Sequence, residues 1–544
     1  MNIVLTGFMG TGKTTVGREV AQRLNRPFVD MDDIIVARAG KPIPRIFAED
    51  GEAEFREMEA AVCAELSAQD GLVMATGGGA LVDAANRRVM QRSGVVICLD
   101  AKPDEILRRV GDNDERPLLN VADPHAEITR LLAARCEAYA AIPWHIETSG
   151  REVDDVVARV LALAETITLP VHHPGGEYPI HIGRGLLMHL GGALRAAGVR
   201  EGARVAVVTN TVVGPLYAGQ VETVLQDADC RPFVCTIPDG EQHKTLDTVR
   251  TLYDHFLAGA LDRSGVVLAL GGGVTGDIAG FAAATFMRGT RFVQVPTSLL
   301  AMTDASVGGK TGVDLPQGKN LVGAFKQPEL VLIDLDVLNT LPEAEFRAGM
   351  AELLKHGLIG APELLRESAN QRIGELRIMN HESRITNCEL PITNYQLPVA
   401  DLARSLQVKI EIVEEDPFER GRRAVLNLGH TTAHGLEQVS AFTLRHGEAV
   451  SIGMVAAARI AEALGRAEPG LAAHIAEVLA AWGLPVTCPP YSVDAIGAAM
   501  LHDKKKQGQG LRWILPRAPG DVEIVDDVPE NLVRRILVEM GARE

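Results

Sequence analysis

Two glycine-rich turns, each at the end of an apolar run, constrain this chain more than anything else in it. They are GFMGTGKTT, Gly7 to Thr15, and VVLALGGGVTGD, Val266 to Asp277. Such a turn brings backbone N–H groups against phosphate oxygens where a buried strand ends and a helix begins, and the helix N-terminus adds its positive end. Both turns therefore demand strand–turn–helix units, and so parallel sheets covered by helices. NIVLTG before TTVGREVAQRLN, and VVICLD before PDEILRRV, repeat that unit; RVAVVTN, RPFVCTIP and TRFVQVP begin a second series. At 544 residues the chain is too long for one core. The spacing predicts an α/β architecture in three parts. Residues 1–167 form a P-loop parallel-sheet domain, closed by the helical run VDDVVARVLALAETI. Residues 168–340, after the Pro/Gly-rich boundary HHPGGEYP, form a second α/β nucleotide-binding domain; residues 341–544 read as mostly α-helical and carry the metal candidates.

Composition narrows the partners. A net charge of −17 disfavours nucleic acid, so any anionic ligand must be held by local cations or backbone donors. No apolar run approaches the roughly eighteen residues of a membrane span. MNIVLTGFMG has no charged n-region and runs straight into the first motif, so no signal peptide is expected. Seven scattered cysteines without a CxxC pair fit reduced thiols in a cytoplasm. ELRIMNH, ESRITNC and ELPITNY, Glu375 to Tyr395, repeat in tandem with apolar residues two apart; this reads as a loop-like surface insertion without a catalytic role.

GFMGTGKT satisfies the whole G-x-x-x-x-G-K-[ST] pattern. Gly10, Gly12 and Thr15 belong to the loop, Lys13 reaches the β/γ-phosphates of a nucleotide, and the Thr14 hydroxyl ligates Mg²⁺. VDMDD places Asp30 and Asp32 at the end of a second strand, both on one face by period two. One can hold the metal's water shell and the other accept a substrate proton. EFREME sets Arg56 and Glu59 three apart on one helix face, and Gly77, Gly78 and Gly79 form another glycine turn. Arg116 lies in a polar segment suited to a lid that offsets charge during phosphoryl transfer. Singly these are caps and solvated arginines. In this order, over Met1 to Ile167, they resemble shikimate kinase. The resemblance implies that Asp32, Arg56 and Gly77–Gly79 hold shikimate, with Arg56 and Arg135 on its carboxylate. It also implies Arg116 as the lid arginine and Asp30 beside Mg²⁺. Cys136-Glu137 stands where that family usually has a proline.

Gly271, Gly273 and Gly276 spell G-x-G-x-x-G after a strand, yet no acidic residue lies between Asp277 and Asp304 to hold a ribose. A dinucleotide here is held differently, with help from DGEQHK, Asp239 to Lys244. The stretch from Arg288 to Pro328 packs Arg288, Asp304, Lys310, Lys319 and Asn320 among glycines, which suits a substrate carrying phosphate and carboxylate. AELLKHG offers Glu352, Lys355 and His356, LNLGHTTAHGLE offers His430 and His434, and LRHGEAV offers His446. His430 and His434 share a helix face, but HExxH chemistry needs Glu beside the first histidine, and Thr431 stands there.

Over Thr168 to Arg543 these motifs, with RGTRFVQVPT, GKNLVGAF and GRRAVLNLGHTTAH, resemble 3-dehydroquinate synthase. The resemblance implies Zn²⁺, with Co²⁺ as a second candidate, on Glu352, His430 and His446, and His434 as a phosphate-side or proton-transfer residue. It implies NAD held by Asn210, Glu241, Lys244, Gly272, Gly273, Asp277, Thr297, Ser298, Lys319 and Thr340. Substrate anions fall to Arg288, Lys310, Asn320, Lys355, Lys409, Arg423, Asn427 and one of Lys504 and Lys505. Asp304 would hold a substrate hydroxyl, Lys310 would also serve catalysis, and Glu419 is a candidate base. Phe286 and His356 replace residues that are often tyrosine there. The two glycine turns then serve two reactions of one pathway, with ATP and Mg²⁺ at the first and NAD at the second. A homodimer through the synthase part and small-molecule substrates are implied by the same resemblance. Rival readings are another small-molecule P-loop kinase or a regulatory P-loop module, joined to another sugar-phosphate cyclase or to a polyol dehydrogenase; only the dehydrogenase would accumulate NADH.

Overall fold

The first sheet of the chain is built from β1 (Asn2–Thr6), β2 (Phe28–Asp30), β3 (Val73–Ala75), β4 (Gly94–Asp100) and β5 (Trp144–Glu147) in the order β2-β3-β1-β4-β5. Every pairing in it is parallel, as glycine-turn units require. β1 is buried along its whole length, so its NIVLT sequence is continuous rather than alternating. Met31, Ile35, Phe55 and Met74 pack with β1's Val4 into the core on one side. In this computed structural model residues 1–110, 121, 123–366, 397–419, 421–505 and 512–544 are described, with backbone alone at 502–505. Arg116, the side chains of Lys504 and Lys505, and the tandem repeat 375–395 lie outside them.

One expectation is corrected here. Asp30 and Asp32 do not share a strand face. β2 pairs with β3 only as far as Asp30, which caps the helix Met31–Ala39 by accepting a hydrogen bond from the Asp32 N–H at 3.1 Å. Asp32 therefore sits in the first helical turn. A carboxylate two residues before a free N–H favours this cap over a longer strand.

The second sheet contains β6 (Ile167–His173), β7 (Gly176–Gly183), β8 (Arg204–Asn210), β9 (Arg231–Ile237), β10 (Val266–Gly271), β11 (Arg291–Pro296) and, after a separate antiparallel hairpin of β12 (Lys310–Leu315) and β13 (Gly318–Phe325), β14 (Leu330–Asp334). Its order is β6-β7-β14-β11-β10-β8-β9, with β10 parallel to both β8 and β11. Beyond Leu341 come long helices, among them Glu343–Ile359, Val399–Glu415, His430–Val439 and His446–Ala463, plus one hairpin of β15 (Trp513–Ala518) and β16 (Asp521–Val525). Contacts divide the chain into two compact units. The first is Met1–Ile167 with Gly183–Ala203 and Gln220–Pro232; the second is Thr168–Ile182, Arg204–Gly219 and Phe233–Glu544.

Candidate active sites

In the first unit the phosphate loop leaves β1 through Gly7, Gly10 and Gly12, at φ 130°, 78° and 96°. These are conformations that a side chain strains, and a Cβ on Gly7 would lie 2.2 Å from the Leu99 carbonyl oxygen. Gly12 opens the helix Lys13–Leu24. Lys13 Nζ bends back to donate to the carbonyls of Gly7 and Phe8, at 3.0 and 2.9 Å, which holds its charge over the loop. Thr14 Oγ1 donates to Asp30 Oδ2 at 2.8 Å, so the two Mg²⁺ candidates touch. Thr15 is exposed in the first helical turn.

Beside this loop a cavity of about 600 Å³ is lined by Arg56, Glu59, Gly79, Asn86 and Arg135, among others. The Gly77–Gly79 turn lets charged groups close in from both sides. A Cβ on Gly77 would meet Asp32 Oδ1 at 2.8 Å and Glu59 Oε1 at 2.9 Å, and one on Gly79 would meet Arg56 Nη1 at 2.5 Å. Arg135 Nη1 and the Tyr139 hydroxyl both donate to the Gly78 carbonyl, at 3.0 and 2.7 Å, and the Arg135 guanidinium lies over the Phe8 ring. Arg56 pairs with Glu59 and with Glu52. Burial pushes the Glu59 carboxyl up against the pull of Arg56. The sequence supplies Glu59's spacing but not its task; only its fully buried position behind Arg56 reveals one.

In the second unit β10 ends in a bare backbone cradle. A Cβ on Gly272 would approach Ser298 Oγ to 3.4 Å, and one on Gly273 would approach Ala305 Cβ to 3.2 Å. Thr297 N–H donates to the Gly271 carbonyl at 3.0 Å, tying the next strand's end to the turn. This cradle fits a dinucleotide backbone approaching the N-terminus of the helix Gly273–Thr285. Lys244, itself buried, binds Asp277 and Asn320 Oδ1 at 2.6 Å each. Asp277 is pushed up to about 6 by burial, with Lys244 opposing. Asn210 accepts from the N–H groups of Val212 and Val213 and donates to Asp239, Lys319 faces Glu241 at 3.4 Å, and Thr340 bonds the Tyr217 hydroxyl at 2.6 Å. Asp239 belongs to the DGEQHK segment expected to help hold the dinucleotide, whereas Tyr217 had no role in the sequence reading.

The three metal candidates converge. The ligand atoms of Glu352, His430 and His446 all lie within 4.8 Å of one another. Nε2 of His446 stands 3.5 Å, and Nε2 of His430 3.8 Å, from Glu352 Oε1, too long for ordinary hydrogen bonds. That oxygen is fully buried and lacks a hydrogen-bond partner. Each ring is turned by its other nitrogen: His430 Nδ1 to the Leu428 carbonyl at 3.2 Å, His446 Nδ1 to Glu437 at 3.3 Å. Ligands so oriented from behind fit a divalent cation. Burial alone would lower His446, but Glu352 and Glu437 hold it up at about 10, whereas burial pushes His430 down to about 3. Glu437 is the outer partner, and nothing in its sequence context singles it out.

Around this centre Lys355 pairs with Glu352, both buried, and Lys409 donates to Asp304 Oδ1 at 2.6 Å. Arg423 donates to the carbonyls of Pro417 and Gly308, and Lys310 pairs with Glu419. His434 is exposed and edge-on to His430, with ring centres 5.6 Å apart, and Asn427 is exposed one turn before His430. Two candidates stand elsewhere. Asn320 joins Lys244 rather than the substrate cations. Arg288 is exposed in a left-handed turn at the C-terminal end of the helix Gly273–Thr285. Gly273, at the other end, packs toward Ala305, next to Asp304. Thirteen helical residues, about 20 Å, therefore separate Arg288 from the Asp304 cluster, beyond an arginine's reach.

The shikimate kinase family model matches residues 9–165, the 3-dehydroquinate synthase N-terminal model 234–348 and its C-terminal model 349–506. A 3-dehydroquinate synthase of Microcystis aeruginosa is 44% identical over 380 residues, 68% of this chain and 98% of that protein. A 2-epi-5-epi-valiolone synthase of Streptomyces hygroscopicus, solved with NAD⁺ and Zn²⁺ bound, is 29% identical, with a TM-score of 0.59 over 67% of this chain and 96% of that one. A shikimate kinase of Acinetobacter baumannii in complex with shikimate is 40% identical, covering 30% of this chain and 91% of that one at a TM-score of 0.29.

Proposed function

The chain belongs to the 3-dehydroquinate synthase family and carries a shikimate kinase domain ahead of it, and we propose how its own residues divide the two tasks. It is a bifunctional enzyme of the shikimate pathway. One reaction phosphorylates shikimate with ATP; the other converts 3-deoxy-arabino-heptulosonate 7-phosphate to 3-dehydroquinate and releases phosphate. We assign the kinase to residues 1–167, the nucleotide-binding part of the synthase to 168–340 and its metal-binding part to 341–544.

In the kinase, Arg56 and Arg135 grip the substrate carboxylate and Asp32 accepts the proton of the attacking hydroxyl. Lys13 swings from its carbonyls to the transferring phosphate, and Thr14 with Asp30 would hold Mg²⁺. In the synthase, Glu352, His430 and His446 would hold Zn²⁺, and the Gly271–Gly273 cradle with Lys244 and Asp277 would hold NAD. When bound, the metal polarises a ring hydroxyl and the dinucleotide accepts and returns a hydride. Lys355 and Lys409 bring positive charge beside two carboxylates, so an anionic substrate enters a pocket already balanced to receive it. Asp304 orients a hydroxyl. Glu419 and Lys310 exchange their mutual ion pair for substrate contacts, and His434, exposed beside His430, serves either the phosphate side or proton transfer.

The observation that carries this reading is the convergence of Glu352 with two inward-turned Nε2 atoms that the chain holds from behind. The chain acts on small molecules in the cytoplasm as a homodimer through its synthase part, without nucleic-acid or membrane partners. The net charge of −17 supports the first exclusion, and no helix among the described residues is long and apolar enough to cross a membrane. The test is to supply each substrate to the purified chain. Phosphate release from the seven-carbon sugar acid phosphate without accumulating NADH, and ATP turnover that depends on shikimate, are expected. Net NADH production, or ATP turnover indifferent to shikimate, would sink it.

A further inference from the structure

One cluster of reactive side chains lies outside both sets of candidates: Cys98, Asp100 and His145 of the first unit, whose ligand atoms lie within 4.8 Å of one another. Parallel pairing sets His145 of β5 beside Cys98 of β4, and Asp100 shares that face by period two. It is built as a hydrogen-bond hub rather than a metal site, because every member already has a partner. Cys98 Sγ donates to Asp100 Oδ1 at 3.5 Å, and His145 Nδ1 meets Asp100 Oδ2 at 2.7 Å. His145 Nε2 faces two carbonyl oxygens, Ile142 at 2.9 Å and Tyr139 at 3.1 Å, so it is a donor there.

Tyr139 lies in the last turn of the helix Pro124–Ala140 and Ile142 just beyond it, and the Tyr139 carbonyl also accepts from the Ile142 N–H at 2.9 Å, so His145 ties the helix end and the residue that closes it. From that end Arg135 and Tyr139, four residues apart and so on one face, reach the Gly78 carbonyl together. On its other side Asp100 is continuous with the phosphate loop. Its carbonyl accepts from Thr148 N–H and Oγ1, and Arg109 spans from Thr148 to the Gly10 carbonyl. Helix end and phosphate loop are thus referred to one residue.

We propose that His145, anchored by Asp100, is a positioning residue that fixes the end of helix Pro124–Ala140 so that Arg135 meets the substrate carboxylate. The inference rests on the kinase reading above and is built to fail separately from it. His145→Phe removes the hydrogen bonds to Asp100, Ile142 and Tyr139; His145→Gln keeps a donor toward the helix end and loses the Asp100 anchor. In the full chain, His145→Phe raises KM for shikimate by about tenfold, the worth of a charge-assisted hydrogen bond, while kcat and KM for ATP stay within about threefold. His145→Gln lies between it and the parent chain. Synthase turnover on the same polypeptide and nucleotide binding report that the chain is intact, and Arg135→Ala is measured in parallel. If Arg135→Ala leaves KM for shikimate unchanged, the kinase assignment fails. If Arg135→Ala raises it but His145→Phe does not, or if kcat falls with KM unmoved, the positioning role is overturned. Should His145→Phe lose nucleotide binding, His145→Gln decides: a KM equal to that of the parent chain overturns the proposal.

Discussion

Replacing Glu352 by glutamine should have two separable effects whose sizes follow from its surroundings. Its side chain is 0% exposed and its ion-pair partner Lys355 1% exposed. Without a bound cation, removing the carboxylate leaves a buried ammonium short of its counter-charge, a loss of about 3–5 kcal/mol for broken buried pairs. The amide oxygen still accepts a hydrogen bond and Asp304 stands within the same cluster, so the lower end, about 3 kcal/mol, applies. For a unit this large that corresponds to a fall in melting temperature of about 6 °C. The second effect falls on the metal. Losing an outer partner of a ligand weakens binding by about 10–100-fold, so losing one of three ligands should weaken it by at least about a hundredfold. Calorimetry of the metal-stripped variant and its parent reads the first effect. Zinc content after gel filtration and phosphate release read the second, with kinase turnover on the same chain as the control. A variant that keeps one zinc per chain and releases phosphate like its parent would refute the ligand assignment. An unchanged melting temperature of the stripped protein would refute the buried-pair argument.

Other outcomes follow from the same geometry. Glu59→Gln should raise KM for shikimate by about tenfold, because Arg56 loses the buried carboxylate that aims it; ATP turnover against shikimate concentration checks this, and an unchanged KM counts against it. Stripping the protein with a transition-metal chelator and adding excess Mg²⁺ should restore shikimate phosphorylation alone, with phosphate release returning only on addition of Zn²⁺ or Co²⁺. His189 is pushed down to about 4 chiefly by burial, with His145 and Arg159 adding to it. It is neutral when folded and takes a proton near 6.5 when unfolded, so the stability it lends the first unit is complete above 6.5 and is lost as pH falls toward 4. Urea unfolding at several pH values should show that slope, and His189→Asn should flatten it.

The sequence by itself determined whatever the backbone needs locally. Gly7, Gly10 and Gly12 had to be glycines because the loop adopts positive φ between a buried strand and a helix, and that demand is written within nine residues. The same local logic made the strand–helix alternation, and hence the α/β class, legible. Motif order then carried the resemblances to the two families that the comparisons bear out. Asp32 marks the limit even of local reading, since period two described its spacing while the Asp30 cap ended the strand. Only tertiary structure decided which distant groups meet. Glu437 behind His446 and Asp100 behind His145 are unremarkable as letters, because a carboxylate acquires its role from burial and from the one cation or ring it faces. Arg288 shows the converse. Its place among basic residues in the sequence suggested an anion site, but within one chain it stands at the opposite end of the helix Gly273–Thr285 from the Gly273–Ala305 approach, so about 20 Å of helix length lies between it and the cluster.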